Sequence, residues 1–522
     1  MAKNIPTQFN FARDVVEHWA RQRPEALALW CVGESGAEQK LTFLQLAENL
    51  RRAASFFHQL GLKRGDRVLI IAPRVPQWWI AMLGMIRLGV VPIPGTPLLT
   101  ARDIKYRLEA SDAAALITDE EGAEKAEGLE LGHGICIDKK VRGWTNFEEG
   151  LRQADPAFDA EPTSSDEPGL IYFTSGTTGP PKMVLHTQAS YGLGHRLTGE
   201  LWLDLKPEDV HWCITDTGWA KAAWSCLFGP WQMGACVFAV DARGKFDAAT
   251  ALRTLAQYPI STWCAPPTAL RLLVKEDLSA YRFPRLRHCV SAGEPLNPEV
   301  FAAWKAATGL SIYDGYGQTE TIILIGNFRR LGEEIRPGSM GKPSPGFTVG
   351  LLDGELKEVP AGREGEIAVR VSPERPLGLF REYWRNETET ALRFQGDWYL
   401  TGDRARRDEA GYFWFVGRGD DVIKSSGYRI GPFEIESALI EHPAVLEAAV
   451  VGKTDAERGQ IVKAFVVLRK QCAPSEELRH ELQEHCKRIT APYKYPREIE
   501  FLDELPKTIS GKIRRVQLRA KG

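Results

Sequence analysis

Nothing in this chain marks it for export, for a metal cage or for a bilayer. Its nine cysteines are scattered from Cys31 to Cys486 without one Cys-x-x-Cys pair. An odd, dispersed set excludes a disulfide framework and a paired-cysteine zinc site and points to reduced thiols. The ten histidines never fall in a His-Glu-x-x-His spacing. The opening Met1-Ala2-Lys3-Asn4-Ile5-Pro6 has neither a secretory apolar core nor the Arg-rich character of a transit peptide. No apolar run approaches the roughly 20 residues that a bilayer-spanning helix needs. A net charge of −2 leaves no global basic footprint for nucleic acid. These absences together lead to the expectation of a cytoplasmic protein with no stable membrane insertion and no nucleic-acid partner.

What is present fills more than one core. At 522 residues the chain predicts two or more domains, and 43% hydrophobic with 26% charged residues is ordinary globular material. Thr42-Phe43-Leu44-Gln45 is a capping-box start, followed by apolar residues at helical spacing until Gly61. Residues 66–72 read as a buried strand, a Trp-rich helix follows near Trp78, and Val90-Val91-Pro92-Ile93-Pro94 reads as the next strand. Thr100-Ala101-Arg102-Asp103 opens another helix that leads into a strand over 113–118. This alternation predicts doubly wound α/β sheets in a large N-terminal domain. Beyond residue 350 the strands at 350–371 and 412–416 are short and punctuated by glycine, which predicts a β-rich subdomain. Gly417-Arg418-Gly419-Asp420-Asp421 has the composition of a linker. The N-terminal domain is therefore placed at 1–417, a hinge at 418–421, and a small mobile α+β domain at 422–522.

The richest local pattern is Thr174-Ser175-Gly176-Thr177-Thr178-Gly179-Pro180-Pro181-Lys182, directly after the strand-like Gly169-Leu170-Ile171-Tyr172-Phe173. Small residues let backbone N–H groups close on phosphate oxygens, hydroxyls add donors, and Lys182 adds charge. The pattern lacks the Gly-Lys-Ser/Thr ending of a Walker loop, and Pro180-Pro181 disfavours a run into helix, so the loop is expected to stay mobile. A plain Gly/Ser/Thr turn is the alternative.

Further segments follow in a fixed order: Ser291-Ala292-Gly293-Glu294-Pro295, Asp314-Gly315-Tyr316-Gly317-Gln318-Thr319-Glu320, Tyr399-Leu400-Thr401-Gly402-Asp403, Gly417-Arg418-Gly419-Asp420-Asp421, Ser426-Gly427-Tyr428-Arg429 and Pro506-Lys507-Thr508-Ile509-Ser510-Gly511-Lys512. With the phosphate loop they resemble, over nearly the whole chain, the adenylate-forming superfamily of acyl-CoA synthetases, peptide-synthetase adenylation domains and luciferases. Asp216-Thr217-Gly218-Trp219, Cys264-Ala265-Pro266-Pro267-Thr268 and Ala491-Pro492-Tyr493-Lys494-Tyr495-Pro496 bring the likeness closest to the medium-chain acyl-CoA synthetases.

The resemblance implies roles. Lys182 and Lys512 are the catalytic lysines, Lys512 reaching the substrate carboxylate and the α-phosphate. Thr174, Ser175, Gly176, Thr177, Thr178 and Gly179 cradle phosphate, with Arg429 touching it and Thr319 as a further contact. Gly293, Glu294 and Pro295 form one wall of the adenine site and Tyr316, within Asp314-Gly315-Tyr316-Gly317-Gln318, stacks on the base. Asp403 and Arg418 bind ribose; a carboxylate offers two acceptor oxygens to paired hydroxyls. Glu320 coordinates Mg²⁺, a hard cation that takes oxygen ligands beside phosphates. Asp420 is the hinge, and Gly427 lets backbone approach the pantetheine arm of CoA. Lys424 is assigned nothing, and the basic last forty residues read as a solvated face with a subset free to meet the CoA 3′-phosphate.

Trp212, Trp219, Trp224 and Trp231 are dense enough to suggest core and pocket wall, with Trp219 a candidate for the acyl pocket. Acetyl-CoA synthetases carry a tryptophan at the place matching Gly317, so glycine is expected to leave that pocket open. His186 is a weaker pocket candidate, with a packed core histidine as the plain alternative. The implied chemistry uses ATP and CoA: a carboxylate attacks the α-phosphate, pyrophosphate leaves, and CoA then displaces AMP from the acyl-adenylate. No general base is needed for the first step, because a carboxylate of pKa about 4 is already ionised. Rotation about the hinge exchanges the Lys512 loop for the Gly427 loop. The preferred acid is expected to be medium-chain, with aromatic or branched acids, a carrier-protein acceptor and a catalytically silent nucleotide-binding regulator as rivals. A homo-oligomer is left open.

Overall fold

A computed structural model of the chain describes residues 5–174, 181–244, 246–425, 428–455, 457–490, 494–507 and 512–521. The helix Phe43–Gln59 begins as its sequence dictates. Thr42 Oγ1 accepts the Gln45 N–H at 3.3 Å, and Gln45 Oε1 accepts the Thr42 N–H at 2.9 Å. The Trp-rich helix Pro76–Leu88 is buried almost all round and lies against it. Gly84 makes that approach possible, since a Cβ there would stand 2.4 Å from the Ala53 Cβ. Beside these helices runs a parallel sheet of Val91–Gly95, Arg67–Ile71, Ala115–Thr118, His133–Cys136 and Thr145–Asn146.

A second, nine-stranded sheet has six parallel strands at its centre, in the order Ile312–Tyr316, His288–Ala292, Thr262–Cys264, Val210–Cys213, Cys236–Val240 and Leu27–Val32. Such sheets open their ligand crevices at the carboxyl ends of the strands. The phosphate-loop sequence joins Pro168–Thr174 to Lys182–Thr187, which pair antiparallel, so the loop leads into a strand rather than a helix. The expected β-rich part is an antiparallel sheet built from Val349–Leu352, Glu364–Arg370, Trp398–Arg407, Phe394–Gln395 and Phe413–Arg418.

The linker-like segment starts differently from expectation. Arg418 still belongs to the strand Phe413–Arg418, with Asp403 as its register partner, and the chain turns only after it. Beyond the turn, Gly459–Leu468 pairs antiparallel with Val445–Asp455 and parallel with Glu498–Phe501. Alternate residues of Val445–Asp455 serve two cores, as a strand period of two requires. Ala448 and Val450 join Leu439, Val462 and Leu482 on one face. Ala449 and Val451 join Phe465, Leu505 and Leu518 on the other. Among the described residues no helix is long and apolar enough to cross a membrane.

Candidate active site

A cleft of about 2190 Å³ opens over the carboxyl ends of the large parallel sheet, and residues after 430 close its far side. Most of the sequence-chosen residues meet there. Thr174, Lys182, Trp219, Gly293, Glu294, Pro295, Asp314, Gly315, Tyr316, Gly317, Gln318, Thr319, Glu320, Asp403, Arg418, Asp420 and Lys512 all line it. Ser175, Gly176, Thr177, Thr178, Gly179 and Gly427 lie outside the described residues, as does the side chain of Arg429.

Asp403 is the best-defined carboxylate of the cleft. Its Oδ2 accepts the Tyr316 hydroxyl at 2.7 Å and the Gln318 Nε2–H at 2.7 Å. Gln318 is held in turn: its Nε2 also donates to the Thr401 carbonyl at 2.9 Å, and its Oε1 accepts the Tyr399 hydroxyl at 2.9 Å. Burial raises the Asp403 pKa, while Arg418, the two hydrogen bonds and Lys512 pull it back. A carboxylate has about four lone-pair sites, so two donors on Oδ2 leave it capacity for more. The ring of Tyr316 is thereby fixed by its own hydroxyl.

Lys512 comes to the same place from the far end of the chain. Its ammonium faces Glu294, Arg418, Asp403 and Lys221; crowding out of water lowers its pKa, against the pull of Glu294. Glu294 is braced by Arg271 at 2.8 Å. Glu320 takes the Tyr383 hydroxyl at 2.8 Å. Burial raises the Glu320 pKa, and that hydrogen bond opposes the rise. Lys182 is ion-paired with Glu389, which Arg393 also approaches at 3.4 Å. Arg418 Nε lies 3.7 Å from Asp420 Oδ1, and the Asp420 carbonyl accepts Arg519 at 3.1 Å.

Two sequence expectations change. Gly317 does not leave empty room: a Cβ there would stand 2.4 Å from the Trp224 ring and 2.5 Å from the Ile322 carbonyl oxygen. The missing side chain seats the Trp224 indole, so a tryptophan from elsewhere in the chain forms the wall at this point. His186 is packed behind the site rather than lining it; it is fully buried and hydrogen-bonded.

Sequence reasoning missed Lys221, whose Nζ donates to the Ala292 carbonyl at 2.8 Å beside Lys512. A lone lysine in the otherwise apolar Trp219-Ala220-Lys221-Ala222-Ala223-Trp224 was the available signal. Tyr383, Glu389 and Arg393 were missed for want of any local signal. Arg515 was read only as part of a solvated basic tail, yet it pairs with Glu436 at 2.8 Å and approaches Asp421 at 3.6 Å.

A cleft at strand ends, shut by a lysine delivered from a second core, places the molecule in the class of adenylate-forming enzymes. Comparison with known proteins narrows this. The AMP-binding enzyme family matches residues 16–384 and the AMP-binding enzyme C-terminal domain matches 434–512, and the chain belongs to that family. It is 50% identical to the mitochondrial acyl-coenzyme A synthetase ACSM3 of Mus musculus, over 99% of this chain and 91% of that one. It is equally 50% identical to the mitochondrial ACSM4 of Homo sapiens over the same shares. The solved anthranilate CoA ligase AuaEII, in complex with anthranoyl-AMP, superposes with a TM-score of 0.90 at 32% identity, covering 99% of this chain and 98% of that one.

These relatives also overturn the cytoplasmic expectation, because they are named as mitochondrial enzymes. The reading failed for a physical reason. Reduced, scattered thiols report a reducing environment, not which reducing compartment holds the protein.

Proposed function

We infer that this chain is an ATP-dependent, AMP-forming acyl-CoA synthetase acting on medium-chain carboxylic acids. The single observation that carries the mechanism is the convergence of Lys512 with Asp403, Glu294 and Arg418 in one cleft. Asp403 receives the ribose hydroxyls, with Arg418 beside it in strand register. Tyr316, locked by Asp403, presents its ring to adenine, and Gly293, Glu294 and Pro295 form the opposite wall. The segment 174–182 meets the phosphates, and Lys182 leaves Glu389 for them.

Glu320 fits Mg²⁺. Its carboxylate takes the Tyr383 hydroxyl, over whose ring the Lys182 ammonium lies, and burial raises its pKa, so a cation there relieves an unfavourable desolvation. Among the described residues no cluster of three or more His, Cys, Asp or Glu side chains forms a cage. Mg²⁺ takes one or two protein carboxylates and draws its other ligands from phosphate and water. When bound, Mg²⁺ supplies charge neutralisation on the polyphosphate.

In the first half-reaction a carboxylate oxygen of the acid attacks the α-phosphorus and the bond to pyrophosphate breaks. Lys512 holds the attacking carboxylate against the α-phosphate and stabilises the charge gathered there. In the second, the CoA sulfur attacks the acyl carbonyl as thiolate and AMP leaves. Lys512 lines the cleft, the arrangement assigned in this reading to the first half-reaction. The second requires the residues after 421 to turn about Asp420 and bring the Gly427 segment in. Trp219 and Trp224 supply apolar wall for the acyl chain.

The test is ATP-dependent CoA thioester formation across butyrate, hexanoate, octanoate, laurate and benzoate, with pyrophosphate and AMP followed together. A hexanoate–octanoate optimum supports the reading. Pyrophosphate and AMP without thioester would refute CoA as the acceptor. An optimum at benzoate would move the substrate to aromatic acids, the class named for the anthranilate ligase.

A further inference from the structure

Behind Glu320, two side chains converge on one backbone oxygen. His186 lies on the strand Lys182–Thr187, and its Nε2 is 2.8 Å from the Thr319 carbonyl oxygen. Tyr191 lies on the following helix Gln188–Leu197, and its hydroxyl reaches the same oxygen at 2.5 Å. The two rings are stacked with centroids 3.5 Å apart, and both residues are buried. His186 Nδ1 stands 3.1 Å from Ser190 Oγ, whose hydroxyl also lies 3.2 Å from the Thr187 carbonyl oxygen. The Thr319 carbonyl oxygen can only accept, so Nε2 carries the proton and donates to it. Burial drives the His186 pKa down to about 3, so the ring stays neutral at working pH.

The carbonyl they grip belongs to the peptide plane whose other edge is the Glu320 N–H. A trans peptide is rigid, so fixing the oxygen fixes the direction of that N–H. The Glu320 N–H contacts Glu320's own carboxylate, which Tyr383 holds from the other side. The orientation of one peptide plane therefore sets where the carboxylate sits. Tyr191 also faces the acyl side: its hydroxyl oxygen accepts the Trp224 indole N–H at 3.3 Å. Trp224 lines the cleft and packs on Gly317.

We propose that His186 and Tyr191 are positioning residues for Glu320, and that the Tyr191 hydroxyl couples the acyl-pocket wall at Trp224 to the nucleotide–metal contact at Glu320. Acid that settles against the Trp224 indole is then felt at the Thr319–Glu320 peptide, and nucleotide is felt at the indole. The inference rests on the adenylating role given to the cleft. Linkage makes the coupling reciprocal and measurable at equilibrium.

The experiment is calorimetric binding of a non-hydrolysable ATP analogue with Mg²⁺, with and without saturating hexanoate, in the wild type, Tyr191→Phe, Trp224→Phe and His186→Gln. Acid-dependent ATP–pyrophosphate exchange, thioester formation from supplied hexanoyl-adenylate and thermal unfolding are measured on the same proteins. In the wild type, hexanoate changes analogue affinity several-fold. Tyr191→Phe, which removes the hydroxyl at the centre of the relay, and Trp224→Phe, which removes the indole N–H at its end, bring that factor to about one. Tyr191→Phe also raises KM for ATP and lowers exchange about tenfold while thioester formation from adenylate stays within twofold. His186→Gln keeps an N–H donor and retains most of the exchange activity. An unchanged coupling factor in both phenylalanine variants would overturn the proposal. So would an equal loss of both half-reactions with a fallen unfolding temperature, which is what simple core packing predicts. Should Tyr191→Phe not fold, Trp224→Phe decides, because it breaks the relay at its other end. A wild type silent in exchange with every acid would instead refute the adenylating reading itself.

Discussion

Replacing Asp314 with asparagine isolates the energetic consequence of burying one carboxyl at the end of a core strand. Asp314 lies on Ile312–Tyr316, is 4% exposed, and accepts the Gly315 N–H at 2.9 Å. Burial pushes its pKa up to about 8 from the ordinary 3.8, against the opposing pull of that N–H and of Lys221. A carboxyl whose folded pKa lies above its unfolded value binds its proton more tightly in the native state. Stability is therefore fully kept below about pH 4, falls as pH rises through the window up to about 8, and is level above it. Within that window the slope is about 1.4 kcal/mol per pH unit, or about 3 kcal/mol between about pH 5 and pH 7. Asparagine keeps an acceptor for Gly315 and has no proton to lose. The stability difference between Asp314→Asn and wild type should thus grow by about 3 kcal/mol in the variant's favour from about pH 5 to pH 7. Urea unfolding followed by tryptophan fluorescence at several pH values reads this directly. Parallel pH profiles for the two proteins would refute the reasoning and place an ionised Asp314 against Lys221.

Lys512→Ala removes the cation proposed to act at the α-phosphate and should cut ATP–pyrophosphate exchange about 10²–10³-fold while sparing thioester formation from supplied acyl-adenylate; equal loss in both assays sinks that division of labour. Glu389→Gln weakens the partner that holds Lys182 away from phosphate, so KM for ATP should drop by about 2- to 5-fold, the worth of a partly exposed ion pair. A raised KM would show instead that Glu389 is needed to aim the lysine. Gly317→Ala forces a methyl against Trp224 and the Ile322 carbonyl and should destabilise by about 1–3 kcal/mol. It should also drive the indole into the pocket and shift the preferred acid toward butyrate. An unchanged unfolding temperature with an unchanged acid profile counts against Trp224 as the wall.

The ion pairs around the turn after Arg418 bear on the proposed hinge. Asp421, buried at the turn, pairs with Arg519 and faces Arg515, and both arginines belong to the terminal helix Arg515–Lys521. The helix that follows Lys512 is thereby tied to Asp421, so the rotation about Asp420 that we propose would carry Lys512 with it. On that proposal the exchange would be a rigid movement of the C-terminal core about a few backbone angles.

Much of this was legible along the chain because its physics is local. Thr42 with Gln45 and Thr100 with Asp103 satisfy helix-end donors three residues apart, and both capping boxes form. Pro180-Pro181 disfavours a run into helix, and the strand Lys182–Thr187 follows. The ordered motifs named the residues that line the cleft because each motif carries its own turn geometry and donor set. What the sequence could not announce depends on partners far away in the chain. The strand Leu27–Val32 lies beside Cys236–Val240, Lys182 meets Glu389, Arg418 extends a strand to pair with Asp403, and Trp224 fills the space over Gly317. Propensity, capping and periodicity act over a few residues, whereas burial and side-chain packing are decided between surfaces that meet only once the sheets have stacked. The composition and motifs determined which chemistry the chain can do; the tertiary packing decided which side chains shape the pocket and hold its catalytic groups in place.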